Sequence, residues 1–178
     1  DMDMNLFYIL YGLSFKWPLL DHAIVFFGDY YVYVLLLIVF AVIGLQSWSF
    51  RKKATVLLSS LATAFIARFA VGSTIRFLYV HPRPYAALHI PHLLTDTTSS
   101  FPSGHTIFVF ALATALYFYN KPLAYFAYAS GLIIGLARVM GGVHYPLDIA
   151  GGIILGVTTG CVVRWLLDRY LIYKVGGH

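Results

Sequence analysis

The sequence predicts an all-α fold: a polytopic transmembrane helical bundle of five to six spans. Three observations predict it. Of 178 residues, 60% are hydrophobic and 11% charged, whereas a soluble domain carries about a quarter charged residues. Mean hydropathy is +0.79. The apolar residues also fall into runs long enough, at ~1.5 Å per helical residue, to cross a ~30 Å hydrocarbon core. No segment between the runs is long enough to fold alone. Residues 1–178 therefore read as one domain, with a short interfacial or re-entrant helix over 1–18 and a bundle over 19–170.

The elements follow in order. Residues 6–17 are apolar, but about 12 residues are short for a crossing. A five-span reading with an outer N-terminus is preferred, and six spans is the alternative. These residues lack a basic n-region and a small-residue cleavage site, so no cleavable signal peptide is expected in them. The first strong run is 19–48, the second 54–80, the third 103–119, the fourth 122–140 and the fifth 146–167. Pro122 and Pro146 suit the first turn of a helix, where no backbone N–H is needed. Arg51, Lys52 and Lys53 join the first two runs, and basic loops of this kind stay cytoplasmic. Counting from that loop, the second run emerges outside near Arg76. The third begins outside at Ser103, the fourth ends outside at Arg138, and the fifth begins outside near His144. Arg164, Arg169 and Lys174 return inside.

Charge and cysteine usage exclude other classes. The net charge is +5, but the basic residues are juxtamembrane or inside short polar clusters, so no nucleic-acid partner is expected. The single cysteine, Cys161, permits no intramolecular disulfide. His89 and His92 have a metal-like spacing, yet no acidic or cysteine ligand accompanies them. They are expected at a loop surface, and no metal or other cofactor is expected.

Three polar clusters lie on the face opposite the basic loops. Pro102, Ser103, Gly104 and His105 open a helix whose free N–H groups and positive dipole end favour an anion. Ser103 can cap that helix and donate to an anion, and Gly104 permits close approach. Arg76, Arg83 and Arg138 match phosphate bidentately. One interfacial arginine is explained by snorkelling, but three converging opposite the positive-inside loops are not. His144 and Asp148 stand at i and i+4, at the mouth of the fifth run and outside its packing. A carboxylate accepting from one imidazole nitrogen leaves the other free as a nucleophile. Arg68 lies eight residues, roughly 12 Å of helix, below Arg76. It is expected to be too deep to share a phosphate with Arg76, and to pair with Asp29 instead.

Together the clusters resemble the signature of the type-2 phosphatidic acid phosphatase superfamily. That signature has a basic residue, six residues and Arg-Pro; then Pro-Ser-Gly-His; then Ser-Arg, five residues, His, three residues and Asp. Here the segments are Arg76 to Pro84, Pro102 to His105, and Arg138 to Asp148. Arg76 stands where lysine is usual and Ala137 where serine is usual. The N-terminal pattern of Asn5, Leu6, Phe7, Leu20 and Asp21 looks like the bacitracin-resistance type of bacterial undecaprenyl-diphosphatase.

The resemblance implies a metal-free membrane phosphatase. His144 would be the nucleophile, Asp148 its orienting partner and His105 the acid for the leaving oxygen. Arg76, Arg83, Ser103, Gly104 and Arg138 would hold the phosphoryl oxygens. The implied substrate is a lipid diphosphate, undecaprenyl diphosphate, on the outer face of a bacterial cytoplasmic membrane. Phosphatidylglycerophosphate, phosphatidate and lipid A phosphatases are the related alternatives. A non-catalytic lipid-phosphate binder or transporter is the alternative of another class.

Overall fold

The computed structural model describes residues 2–175, and every regular element among them is helical. Helix α1 (Met2–Tyr11) leads into two long, interrupted helices. The first runs from α2 (Pro18–Val25) through a π-helical turn, Phe26–Tyr30, into α3 (Tyr31–Leu45). The second runs from α4 (Phe50–Phe65) through a π-helical turn, Ile66–Gly72, into α5 (Ser73–Leu78). The short α6 (Pro84–Leu88), α7 (Gly104–Tyr117), α8 (Lys121–Met140) and α9 (Pro146–Val175) complete the chain.

Four of these helical stretches are long and apolar enough to cross a membrane: Pro18–Leu45, Phe50–Leu78, Lys121–Met140 and Pro146–Arg169. The third apolar run of the sequence forms a shorter apolar helix, Gly104–Tyr117. Helix α7 has 14 residues, about 21 Å, and nearly every residue from Thr106 to Leu116 is buried. A helix apolar all round belongs inside a bundle, and α7 is the central post. It packs against α4, α8 and α9. Residues such as Leu37, Leu58, Phe77 and Ile154 on the surrounding helices stay exposed, as lipid-facing side chains do.

Local chemistry starts several of the helices. Ser49 Oγ accepts from the Lys52 N–H at the head of α4, and Asn120 Oδ1 accepts from the Leu123 N–H at the head of α8. Pro122 and Pro146 occupy first-turn positions. The α7–α9 contact is backbone-close: a Cβ at Gly156 would stand 2.7 Å from the Ile107 carbonyl oxygen. Small residues at four-residue spacing let membrane helices approach in this way.

Helix α1 lies across the end of the bundle formed by the C-terminus of α8 and the N-terminus of α9. Phe7 is fully buried against Tyr11 and Tyr145. Tyr11 donates to the Pro91 carbonyl at 2.7 Å, and Ser14 to the Met140 carbonyl at 2.7 Å. The α6–α7 loop folds over the same end. The Ser100 N–H bonds the His81 carbonyl at 2.8 Å, and the Leu93 N–H bonds the Gly141 carbonyl at 3.1 Å.

Candidate active site

The topology brings all three polar clusters to this covered end. Arg76 is in the last turn of α5, Arg83 directly precedes α6, and Ser103, Gly104 and His105 open α7. Arg138 is in the last turn of α8, and Asp148 is in the first turn of α9. His105 lies within electrostatic reach of His144, Arg83 and Arg138.

His144 is 1% exposed, so it belongs to the packing rather than standing outside it as a span-mouth residue would. It sits two residues before α9, not on its first turn. Asp148 closes the gap by reaching back. Its Oδ2 accepts from the Tyr145 N–H at 2.8 Å, from Ser100 Oγ, and from the His144 Nδ1 side at 3.4 Å. A third-position carboxylate that bonds the N–H preceding the helix is the returning half of a capping box. One residue thus both starts α9 and orients the imidazole. On the other edge of the ring, Arg83 Nη1 lies 3.3 Å from His144 Nε2. A guanidinium only donates, so Nε2 accepts and the proton sits on Nδ1, facing Asp148. Burial, then the Arg138 and Arg83 charges, hold the His144 imidazole well below its ordinary value. It is a neutral base with its lone pair on Nε2.

The arginines are held by oxygens. Arg83 donates to the Thr98 carbonyl at 2.7 Å, the Val143 carbonyl at 2.8 Å and Thr98 Oγ1 at 3.1 Å. Arg138, 1% exposed, donates from Nη1 to the Gly28 carbonyl and to Asp29 Oδ1, both at 3.0 Å. Asp96 Oδ2 bridges the two arginines, 3.0 Å from Arg83 and 3.2 Å from Arg138. Burial alone would raise the Asp96 carboxyl, but Arg83, the Thr98 bonds and Arg138 outweigh it and hold it below the usual carboxylate range. Arg138 Nε is buried without a partner. A buried cation with a spare donor can accept an anion as its further partner.

Asp29 therefore pairs with Arg138 and not with Arg68, which corrects the sequence expectation. The π-helical turn Phe26–Tyr30 presents both the Gly28 carbonyl and the Asp29 carboxylate to Arg138. Among the described residues, no carboxylate pairs with Arg68. The expected depth separation fails too. Arg76 folds back along its helix, and its Nη2 donates to the Arg68 carbonyl at 3.2 Å. A Cβ at Gly104 would stand 2.8 Å from Arg76 Nη1 and would collide with Arg68 Nη1. Both guanidiniums therefore lie over the first turn of α7, where helix N–H groups have no intrahelical partner. Side chains on a helix lean toward its N-terminus, which carries the Arg76 head down, and the π-helical turn Ile66–Gly72 resets the register between the two residues.

Ser103 takes the N-cap position without capping through its side chain. It accepts from Thr106 Oγ1 at 3.1 Å, and its N–H bonds the Asp148 carbonyl at 3.1 Å. His89 and His92 are exposed, and His92 stacks on Tyr85. Among the described residues, no three His, Cys, Asp or Glu side chains converge as a metal-ligand set. Sequence reasoning passed over Ser100, Asp96, Thr98 and His81. His81 Nδ1 lies 3.8 Å from Asp148 Oδ1. All four lie within or between the recognised segments, and their loop position carried no signal of its own.

The arrangement can hold a phosphoryl dianion among guanidiniums and a helix N-terminus, and can set a neutral imidazole against it. Similarity to known proteins agrees. The chain is 30% identical over 164 residues to the undecaprenyl-diphosphatase BcrC of Bacillus subtilis, covering 89% of this chain and 81% of that protein. It is 27% identical over 173 residues to the bacitracin transport permease protein BcrC of Bacillus licheniformis, covering 95% and 82%. Among solved structures it resembles Aquifex aeolicus LpxE, with a TM-score of 0.72, 27% identity and coverage of 92% of this chain and 94% of that one. It shares its fold with a PAP2-type phosphatidylglycerolphosphate phosphatase from Bacillus subtilis, with a TM-score of 0.63, 18% identity and coverage of 95% and 88%. Residues 53–171, which hold every cluster described above, match the PAP2 superfamily; the chain belongs to that superfamily of membrane phosphatases.

Proposed function

We propose that the protein hydrolyses undecaprenyl diphosphate to undecaprenyl phosphate and inorganic phosphate. The reaction would take place on the outer face of a bacterial cytoplasmic membrane, returning the carrier lipid for wall synthesis. The observation that carries the reading is the buried, neutral His144, with Nδ1 toward Asp148 and Nε2 toward Arg83. In the first step Nε2 attacks the terminal phosphorus. The N–P bond forms as the bridging P–O bond breaks, and His105 gives its proton to the departing lipid phosphate. In the second step His105 takes a proton from water, the water oxygen attacks the phosphohistidine, and orthophosphate leaves with the bonding pair returned to Nε2. Arg76, Arg83, Arg138, Ser103 and Gly104 stabilise the equatorial oxygens throughout.

Phosphate release from undecaprenyl diphosphate, phosphatidylglycerophosphate and phosphatidate, by purified protein in detergent and with EDTA present, tests the substrate. Undecaprenyl diphosphate is expected to have the highest kcat/KM, and EDTA to leave it unchanged. His144→Asn is expected to lower turnover by more than about 10³-fold, over 4 kcal/mol in barrier, and to abolish the alkali-stable phosphoprotein. Since His144 is buried, retained vanadate binding shows that the variant is folded. Turnover within tenfold of wild type sinks the nucleophile assignment. Absent turnover on all three lipids favours a non-catalytic binder.

A further inference from the structure

Arg68 is the one clustered arginine outside the recognised segments. Its guanidinium closes on Gly104 beside that of Arg76. No carboxylate among the described residues neutralises it, and it is half-buried over the Phe69 ring. Two cations at one helix N-terminus repel each other, and an anion between them relieves that repulsion. Arg68 also lines a cleft of about 300 Å³ whose other walls include Val32, Leu36, Phe65, Phe108 and His105. The cleft is mostly apolar, and its polar walls are Arg68, His105 and Tyr33. Phe65 and Phe69 at its mouth are about half exposed on the bundle surface, so it opens sideways toward lipid.

His144 and Arg83 are not part of this cleft. In the proposed mechanism the nucleophile approaches the phosphorus from the Arg83 side, and the cleft holds His105, the proposed acid. In-line displacement sends the leaving group away from the nucleophile, toward the acid that protonates it. In a lipid diphosphate that leaving group is itself a phosphate carrying the tail. We infer that Arg68 binds this proximal, non-reacting phosphate while the prenyl chain leaves through the cleft, making Arg68 the residue that separates diphosphate from monophosphate lipids. The inference rests on the substrate reading above and deepens it. Arg68 bonds the proximal phosphate before and after the bridging bond breaks, and gains a charge-assisted contact as the departing oxygens become more negative.

The test compares methylenediphosphonate, a non-hydrolysable two-phosphorus anion, with orthophosphate, by thermal-shift titration in detergent of wild type, Arg68→Gln and Arg68→Lys. Arg68→Gln is expected to weaken methylenediphosphonate about tenfold more than it weakens orthophosphate, ~1.4 kcal/mol of selectivity. Arg68→Lys keeps the charge without the fork and should recover part of that selectivity. It carries the comparison, at a smaller factor, if the glutamine variant does not fold. Equal losses for both anions would place Arg68 on the reacting phosphoryl group and overturn the inference, and so would no loss for either. Wild type that releases no phosphate from a prenyl diphosphate sinks the substrate reading instead, and the two-anion comparison still decides Arg68.

Discussion

Asp96 is the residue on which the arginine cluster balances. Its carboxylate satisfies Arg83 and Arg138 together, and a phosphoryl group would make the same demands on them. Asp96→Asn should cost about 2 kcal/mol, measured as Tm without anion, because two buried cations lose a shared partner of which a quarter is exposed. Saturating orthophosphate should restore more of that Tm than it adds to wild type, since the anion takes the carboxylate's place. The folded carboxyl is depressed, so its stabilisation is complete above the ordinary carboxylate value and is lost as pH falls through the lower folded value. The asparagine variant should therefore lose less Tm than wild type between pH 4 and the acid limit of folding. His144 is likewise depressed, with a different readout. Its nucleophilic form is neutral, so the acid limb of a kcat/KM–pH profile should fall well below about 6.5, the free imidazole value. A limb at or above that value would mean that His144 is solvated in the working enzyme.

At the scale of elements, the two π-helical turns sit where charged residues must be re-aimed. One offers Gly28 and Asp29 to Arg138, and the other brings Arg68 and Arg76 to one helix end. Such turns recur at functional sites because an extra residue per turn rotates everything beyond it. The head of α7 makes its own demand. The atoms nearest to a Cβ at Gly104 are the flexible ends of two arginines, so Gly104→Ala should fold normally. It should displace both guanidiniums and raise the KM for lipid phosphate about tenfold, ~1.4 kcal/mol. Gly156 differs, because its Cβ would meet the Ile107 carbonyl at 2.7 Å. Gly156→Leu must separate α7 from α9 and should lower Tm sharply. A Gly104→Ala variant as unstable as Gly156→Leu would show that the head of α7 is a packing contact and not an anion site.

Across the whole molecule, the chain path puts the ends of α5 and α8 and the starts of α7 and α9 at one pole, and Arg51, Lys52 and Lys53, which the structure places in the first turn of α4 rather than in a loop, at the other. Basic termini of this kind stay cytoplasmic, so the outer-face reading proposed above puts the polar clusters across the membrane from Arg51, Lys52 and Lys53. With Cys161 replaced by alanine, Thr97→Cys in the site loop should react with a membrane-impermeant maleimide on intact cells. Ser49→Cys should react only after permeabilisation. The reverse pattern would put the site in the cytoplasm and remove the proposed role in recycling an externally released lipid.

The sequence by itself determined which stretches are apolar helices, because hydropathy is read locally against the bilayer. It also carried the segments around Arg76, Ser103 and His144, whose internal spacings are short enough to survive as patterns. It did not carry the partners of the buried arginines. Arg138 finds Asp29 across 109 residues and Asp96 across 42, and no local period encodes such pairs. The place of Arg68 was misjudged from an ideal helical rise, which neither a π-helical turn nor a folded-back arginine obeys. The third apolar run looked like an ordinary span, and only packing made it the central post, since burial on all sides is set by neighbours. Tertiary structure alone decided these points, because the cost of burying a charge is settled by whatever the fold sets beside it.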